Sequence, residues 1–518
     1  MITVPPYNKS ATVVNSRLKR SMGITMLLVL LLSPSLQTMA KITTLDFRTV
    51  DQLTYRFSEE KKWDSVIVIG KSALKQKIDY YFLRLRMGIA YYEKKQYFIA
   101  STHLKQAYHF NRGDTLAVKF LYGCYLYTNQ VDEARATKGF LSPSSREEAS
   151  NSSNFLDKIS FESGYTFSSN NTIQDHPDLM GSDSLYGEQD LYRNYIYENL
   201  GFKLNVSNRV SISLAYSYLN FSKQKYFQYT RMEDHLEKIA DSSWGKNYIY
   251  SFPVVAYDTS FSYRVNQHEA HIGVTWVLPR GFKIMPALHM VNVSYPLISA
   301  SEQFTTVEDT AYYTSYDSTY HTFSPPFVRI SYNYTQKDTS FNNYLAGLTV
   351  TKDLGIFRIG LSGSWSNFNG KTQYQAGAAL SYYPLGNLNL YGTTALTGFF
   401  QKKGKRLLFS QTIGGRITKW CWLEANLLYG NYTNANIANG AIIFNNADKL
   451  DYRIGANMTF VISKHIQLSV IYQYFRKESQ QYYYIKSTDS SGQPSSTLQI
   501  QNNPYTTNTI IGGITWKL

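Results

Sequence analysis

Most of the chain beyond residue 155 alternates between apolar and polar side chains with a period of two. In the segment 356–366, Phe357, Ile359 and Leu361 fall on one face, and arginine, glycine and serine occupy positions on the other. The same alternation recurs in three more segments, 210–218, 452–462 and 466–474. Because consecutive side chains of a β-strand point to opposite faces, the pattern predicts strands with one apolar and one polar face.

The lengths of these segments and of their connections indicate an antiparallel transmembrane β-barrel rather than a water-soluble sandwich. The segments run for about ten residues, the length that a tilted strand needs to cross a bilayer. Short turns near residues 208, 280, 355, 386, 420 and 464 alternate with long connections at 168–191, 225–258, 297–341 and 481–504. This alternation of short and long connections is typical of bacterial outer-membrane barrels.

Counting the segments predicts fourteen strands, with twelve or sixteen as alternatives. They begin near residues 157, 193, 209, 259, 281, 342, 355, 372, 387, 405, 421, 450, 465 and 506. The strand-like stretch 326–337 is assigned to an outer loop, because promoting it alone breaks the even count of such barrels. The barrel domain is therefore predicted to span 155–518.

Residues 1–40 have the pattern of a secretory signal peptide. A basic cluster ending at Arg20 precedes an apolar run of about nine residues, and small or polar residues lead to Ala40. We predict export with cleavage after Ala40, and Met22 is an alternative start to Met1. A membrane-anchoring helix is disfavoured, since it needs about 20 apolar residues.

Residues 41–140 repeat with a period of 34 and predict an N-terminal helical domain. The small Gly88 and Ala100 allow two antiparallel helices to approach closely, with Tyr91 between them. The predicted packing positions are Phe57, Trp63, Ala73, Gly88, Tyr91, Tyr97, Ala100, Leu104 and Ala107. This pattern resembles the tetratricopeptide repeat, which implies an α-solenoid of two to three repeats that binds proteins. A plain helical bundle is the alternative, and 141–154 is predicted to be a polar linker.

Composition and charge exclude several classes of protein. Aromatic residues make up 15% of the chain and charged residues only 17%, which excludes disorder for most of it. The mean hydropathy of −0.32 and the lack of a run of about 18 apolar residues exclude a helical membrane protein. The net charge is +15, but no compact block of lysine and arginine predicts a nucleic-acid site. Two cysteines, Cys124 and Cys421, do not make a disulfide scaffold.

Strand phase also assigns the side chains that line the barrel interior. A Lys or Arg facing lipid at the midplane costs ~2–4 kcal/mol, so charged residues are expected on the inner face. The predicted lumen-facing residues are Lys203, Glu269, His271, Lys283, His289, Arg358, Gln373, Gln375, Arg416, Glu424, Asp451, Arg453, Asn457, Gln467 and Lys517. The basic members outnumber the acidic ones, which favours neutral or anionic cargo.

The sharpest candidate for chemistry is a pair of histidines. Antiparallel pairing across the turn 279–281 places His271 opposite His289, with Glu269 two residues away on the same face. Two imidazoles and a carboxylate can ligate Zn²⁺ or act as a base and its orienting group. A hydrogen-bonded polar layer in the wall is the favoured interpretation, because Pro286 predicts a bulge that shifts the register.

No enzyme signature accompanies these residues. The sequence contains no Gly-x-Ser-x-Gly elbow, phosphate-binding loop or His-Glu-x-x-His motif. We therefore predict no catalytic residues, no cofactor and no resident metal.

The layout of leader, repeats and barrel resembles a known group of outer-membrane proteins. Ile514, Trp516 and Leu518 share one face of a C-terminal strand that resembles the C-terminal signal of these barrels. The whole resembles tetratricopeptide-plus-barrel proteins of Gram-negative bacteria, including exopolysaccharide secretion porins and YaiO-type barrels. The strands, rich in tyrosine and asparagine, resemble those of Bacteroidota. The resemblance implies an α+β multidomain protein with a periplasmic α-solenoid and an outer-membrane barrel.

That resemblance also implies a function. It points to an export conduit or docking component for polysaccharide or other envelope cargo, with outer-membrane lipid and periplasmic proteins as partners and no nucleic acid. Two alternatives stay open. One is a non-conducting outer-membrane anchor or adaptor of a secretion or envelope complex, and the other is a barrel enzyme acting on lipid or glycan.

Overall fold

The computed structural model describes residues 45–150, 155–172, 184–233, 235–242, 245–251, 254–307, 310–315, 318–323, 327–402, 404–488 and 494–518. The predicted signal peptide at 1–40 lies outside these residues. Within them, no helix is both long and apolar enough to cross a membrane. The described chain consists of an N-terminal helical module followed by a β-barrel.

The helical module has a regular arrangement of helix pairs. Its described helices, α1–α7, are Phe47–Glu59, Trp63–Lys75, Tyr81–Glu93, Tyr97–Phe110, Thr115–Tyr127, Val131–Lys138 and Pro143–Ser150. The helices α1, α3 and α5 begin 34 residues apart, and so do α2, α4 and α6. Asp46 and Asp114 cap α1 and α5 by accepting hydrogen bonds from backbone N–H groups. The first six helices therefore follow the period seen in the sequence.

Small and apolar residues at the repeat positions form the core of the module. Ala73, Gly88, Tyr91, Ala100, Leu104 and Ala107 are buried, and Phe57, Trp63 and Tyr97 pack against this core while partly exposed. A Cβ atom at Gly88 would lie only 2.6 Å from Cγ of Leu104. A larger residue at this position would push α3 and α4 apart.

The stretch predicted to be a polar linker, 141–154, is helical in part, so the prediction needs correction. Helix α7 occupies Pro143–Ser150, and Leu141 and Ala149 pack against Val118 in a small apolar cluster. Proline at the first helical position is favourable, because its missing N–H has no helical partner in any case. Pro143 therefore begins a helix within the segment predicted to be a linker.

Fourteen antiparallel strands close into a barrel, as predicted. Numbered β1–β14, they are Leu156–Ser168, Ser184–Asn205, Val210–Met232, Val254–Val277, Phe282–Val307, Phe327–Leu354, Phe357–Ser366, Gln373–Tyr382, Leu390–Gln401, Gly404–Arg416, Cys421–Tyr429, Lys449–Val461, Ile466–Thr488 and Pro494–Lys517. The first and last strands pair from Lys158 opposite Lys517 to Ser168 opposite Thr507. This pairing closes the sheet along the length of β1.

The apolar side chains of the strands point away from the barrel. Leu361, Trp276 and Ile510 expose 61%, 50% and 52% of their surface, whereas the polar Gln373 and Thr509 are buried on the inner side. In a water-soluble sandwich the apolar faces would instead pack against a second sheet. An apolar outer face on a closed sheet is the arrangement that contact with hydrocarbon requires.

The two ends of the barrel differ in their connections. At the end that we call the turn end, short turns at 206–209, 278–281, 355–356, 383–389, 417–420 and 462–465 join the strands. At the opposite end, the loop end, strand lengths are uneven: β6 has 28 residues and its neighbour β7 only 10. Part of the barrel wall therefore extends well beyond the rest.

The assignment of 326–337 to an outer loop was wrong. These residues, from Phe327, continue β6, and they pair with β5 from Phe327 opposite Val307. Residues in the predicted long connections likewise extend β2, β3, β4, β13 and β14. A strand pair that continues into water keeps its backbone hydrogen bonds, so bilayer thickness does not limit its length.

Replacing Leu361 with arginine tests which face of β7 meets lipid. We expect the free energy of unfolding in phospholipid vesicles to fall by ~2–4 kcal/mol, because a guanidinium would replace an apolar side chain in hydrocarbon. Denaturant titration followed by tryptophan fluorescence measures the change. The control is Thr335→Arg, on the exposed part of β6 beyond its short neighbour. An equal loss in both variants would contradict the assignment.

Candidate functional site

Helix α6 contacts the barrel interior at the turn end through two adjacent carboxylates. Oδ1 of Asp132 lies 2.9 Å from Nζ of Lys203. Oε1 of Glu133 lies 2.6 Å from Nζ of Lys283 and 3.8 Å from Nη2 of Arg358. These cations belong to β2, β5 and β7, three strands that are not neighbours. One helix therefore connects separate parts of the barrel wall.

Two turns of the barrel also contact the module directly. Nε of Arg135 donates a hydrogen bond to the Ser207 carbonyl oxygen at 3.1 Å. The ring of Phe98 stacks on Tyr383 with centroids 3.8 Å apart, and the Phe98 N–H donates to the Gly386 carbonyl oxygen at 2.9 Å. The module thus docks on the turns 206–209 and 383–389 by polar and aromatic contacts.

The charged groups of this contact are buried, and their pKa values show how strongly they depend on one another. Burial by itself raises the pKa of Asp132, but the Lys203 ammonium, the Arg135 guanidinium and the Ser211 hydroxyl together outweigh it, so the net pKa is lowered. Burial lowers the pKa of Lys105 in α4, while the carboxylates of Asp353 and Glu133 oppose this shift. Buried charges of this kind are tolerated only when each has a partner.

A second segment, the inward loop at 430–448, occupies the barrel interior from the other side. It connects β11 to β12 and contains a small hairpin in which Asn436–Ile437 pairs with Ile442–Ile443. Its hydrogen bonds to the wall, at 2.6–3.0 Å, join Thr349 to Asn439, His289 to Gly440, Gln373 to Asn434 and Gln375 to Asn436. Each of these contacts uses a side chain of the wall, whereas backbone hydrogen bonds join the base of the loop to β12, where the N–H groups of Gly430 and Tyr432 donate to the carbonyl oxygens of Asp451 and Leu450.

Apolar side chains fill the interior around the inward loop. Tyr432 and Phe444 of the loop belong to a buried cluster with Phe399 and Leu428 of the wall. Interiors packed in this way exclude water. The lumen of the described chain is therefore narrowed by a folded loop.

A second apolar cluster corrects the prediction of a bulge at Pro286. The register of β5 against β6 is constant, with Pro286 opposite Leu348. Val291 and Val293 point inwards, where they pack with Phe368. Apolar residues take the inner phase here because the interior at this height is packed rather than wet.

Most predicted lumen residues contact the module, the loop or each other. Lys203, Lys283 and Arg358 bind the module carboxylates, and Gln373, Gln375 and His289 bind the inward loop. Nδ2 of Asn457 lies 3.4 Å from Oε2 of Glu424. The guanidinium of the buried Arg453 lies over the ring of Phe444 in the inward loop. Gln467 and Lys517 lie on the inner face of their strands near the turn end. The interior is thus a connected polar lining around apolar clusters.

Two predicted lumen residues lie elsewhere. A register shift in β12 leaves Asp451 outside the alternation, and its carboxylate lies 2.8 Å from Nζ of Lys449. Arg416 ends β10 at the turn end, where it is exposed and donates to the Thr418 carbonyl oxygen. A bulge adds one residue to a strand, so counting by twos misplaces the residue inside it.

The histidine pair forms with the register that the sequence predicts. His271 lies opposite His289 with ring centroids 5.5 Å apart, and Nε2 of His289 lies 3.4 Å from Oε2 of Glu269. The other ring nitrogen of His289 contacts the Gly440 carbonyl oxygen. Among the residues that the structure describes, no three His, Cys, Asp or Glu side chains are placed to hold a metal ion. The geometry is that of a polar layer that anchors the inward loop.

A cavity of about 290 Å³ lies between the wall strands β1–β4 and the inward loop. Its lining mixes polar and apolar residues, and the polar ones include Lys158, Ser160, Asn199, Lys203 and Ser213, together with Asn439 of the loop. It is the candidate binding space at the turn end.

Comparison with known proteins finds only distant structural similarity. No protein-family model matches the chain, and no curated protein matches it. A Pseudomonas aeruginosa FadL homologue is similar with a TM-score of 0.36 and 8% identity, covering 74% of this chain and 92% of that one. The Acinetobacter baumannii outer membrane protein Omp33 is similar with a TM-score of 0.30 and 7% identity, covering 71% of this chain and 100% of that one. The KdgM porin is similar with a TM-score of 0.24 and 8% identity, covering 56% of this chain and 99% of that one. The closed antiparallel barrel is a property of the chain's own strand pairing, and its function has to be argued from its own residues.

Sequence reasoning missed the residues that close the interior. Asp132 and Glu133 stood in a degenerate repeat, where nothing distinguished them from solvated charges. The inward loop carried a signal, because the run Ile442-Ile443-Phe444 is apolar although it lies between strands. An apolar stretch in a connection indicates that it folds against something.

Replacing Glu133 with glutamine tests the docking of the module. The ammonium of Lys283 would lose its partner while buried, so we expect the opening free energy of α6 to fall by about 3 kcal/mol. Hydrogen exchange of the amides at 131–138 measures it. The control is Asp64→Asn, which removes a carboxylate that is 82% exposed and pairs with Lys94 in the same module. Equal exchange in wild type and Glu133→Gln would show that the ion pair does not hold the helix.

Proposed function

We propose that the protein is an outer-membrane export conduit that is closed at rest, with the helical module on its periplasmic side. The observation that carries the proposal is the inward loop, which narrows the lumen and, beyond its base on β12, is joined to the wall by hydrogen bonds that involve side chains. A net contribution of about 1 kcal/mol for each such bond makes the loop far easier to move than a paired strand. Polysaccharide or another envelope polymer is the proposed cargo.

The helical module is proposed to be a tetratricopeptide-type solenoid that binds periplasmic proteins. The 34-residue spacing of its helices supports this assignment. An apolar groove lined by Leu116, Phe120 and Leu126 of α5 and Ala149 of α7 offers a surface for a partner. The module would deliver cargo or its carrier to the turn end of the barrel.

A non-conducting anchor is the second candidate. The buried apolar clusters around Phe368 and Tyr432 favour it, because their separation would expose apolar surface to water. In that case the barrel holds the module at the membrane and the interior contacts serve stability alone.

A reversible cross-link between wall and loop separates the two candidates. Oγ1 of Thr349 and Oδ1 of Asn439 are 2.8 Å apart, so cysteines at both positions (Thr349→Cys with Asn439→Cys) can be oxidised to join them. A conduit should show voltage-driven openings in planar bilayers that oxidation abolishes and reduction restores.

The matched control is Thr349→Cys alone, which has no partner on the loop and should be unaffected by oxidation. Native Cys124 and Cys421 are buried in both variants. A barrel that never opens, reduced or oxidised, would identify the protein as an anchor.

A further inference from the structure

We infer that the barrel interior at the turn end is a binding site for a polyanion, which Asp132 and Glu133 of the module occupy in part at rest. The inference rests on the proposed function and specifies the charge of the cargo: a polymer that carries carboxylate or phosphate groups.

The first support is a row of three lysines on neighbouring strands. Lys158 of β1 lies directly opposite Lys203 of β2 on one side and directly opposite Lys517 of β14 on the other. All three occupy the inner phase of their strands. Like charges placed opposite each other in a sheet destabilise it, so this row needs negative charge beside it.

In the part of the chain that the structure describes, only one member of the row has a direct ion pair with a carboxylate. Lys203 binds Asp132 of the module, and its Nζ lies 3.7 Å from Oδ2 of Asp157. Among the described residues, no carboxylate lies within ion-pair distance of Lys158 or Lys517. The next carboxylate along the inner phase of β1, Glu162, accepts a hydrogen bond from Tyr197. Lys158 and Lys517 therefore have no direct ion pair among these residues, and Asp157 is the carboxylate whose charge acts on all three lysines of the row.

Space for a ligand adjoins two lysines of the row, Lys158 and Lys203. The cavity of about 290 Å³ is lined by Lys158 and Lys203 and by the hydroxyl and amide groups of Ser160, Asn199 and Ser213. Ammonium, hydroxyl and amide groups donate hydrogen bonds to oxygen, which suits carboxylate or phosphate groups.

The carboxylates of Asp132 and Glu133 indicate which kind of ligand the lysine row would bind. Lys203, Lys283 and Arg358 already hold two acidic side chains one residue apart. Arg135 also pairs with Asp132, and Asp353 also pairs with Arg358. These two residues balance part of the charge where the module docks, but neither forms an ion pair with a lysine of the row. A polymer with closely spaced anionic groups would compete for the same cations, and its entry would release the module.

Calorimetric titration of the full-length protein in detergent at low salt tests this inference. The probes are an alginate hexamer, which carries carboxylates, sodium tripolyphosphate, which carries phosphates, and uncharged maltohexaose. We expect one or both anions to bind and maltohexaose not to bind. Which anion binds distinguishes a polyuronic from a phosphate-bearing cargo.

Three variants identify the site. Lys158→Gln with Lys517→Gln should weaken anion binding about tenfold or more, and Lys158→Gln alone provides the same test if the pair misfolds. Asp132→Asn with Glu133→Gln should strengthen binding about tenfold, because the competing carboxylates are gone. Lys337→Gln with Lys405→Gln removes two exposed lysines from other strands and should change nothing.

Failure to bind either anion at about 1 mM would overturn the inference. Equal affinity in wild type and in the Lys158 variants would do so too, as would unchanged affinity when Asp132 and Glu133 lose their charge. These results leave the cross-linking experiment unaffected, so a conduit for uncharged cargo would still be recognised by its conductance.

Discussion

A backbone N–H or C=O group in hydrocarbon has no water to bind, and the architecture of this chain follows from that constraint. The strands must pair on both sides, so the sheet closes through β14 and β1. Closure fixes which face meets lipid and leaves an enclosed interior. Barrels of about eight strands fill their own interior with side chains, whereas fourteen strands leave a lumen that other segments must fill or water must occupy.

In this protein two segments from outside the strand pattern occupy the lumen. The inward loop brings Tyr432 and Phe444 among the wall residues, and α6 brings Asp132 and Glu133 to cations at the turn end. The two contacts differ in kind. The apolar clusters contribute stability by burial, while the ion pairs specify where the module docks, because buried charges are costly unless each meets its partner.

Function, on this view, depends on the balance between these contacts. A wall that carries a row of three lysines beside a cavity can exchange the carboxylate of Asp132 for an anionic group of a ligand. The histidine layer has a different role, since His289 joins Glu269 to the inward loop. Movement of the loop would therefore disturb the hydrogen bonding of the histidine pair.

Local alternation was sufficient to predict much of the barrel. The strand count, the outward face of Leu361 and the pairing of His271 with His289 follow from a period of two and a short turn. The prediction was wrong where the outcome depends on contacts that a pattern of neighbouring residues does not contain. These places are the bulge beside Asp451, Pro286, and 326–337, where a strand pair continues beyond the bilayer.

The amino-acid sequence by itself determined the element types, the closed antiparallel sheet and the 34-residue spacing of the helices, because these depend on interactions between residues that are near in sequence or on the solvent that each face meets. Only the tertiary structure decided what lies inside the barrel. Glu133 and Lys283 are 150 positions apart, and Gly440 lies 151 positions from His289. Contacts between residues so far apart produce no periodic pattern in a single sequence, because the folded barrel wall, and not the neighbouring residues along the chain, determines which residues meet.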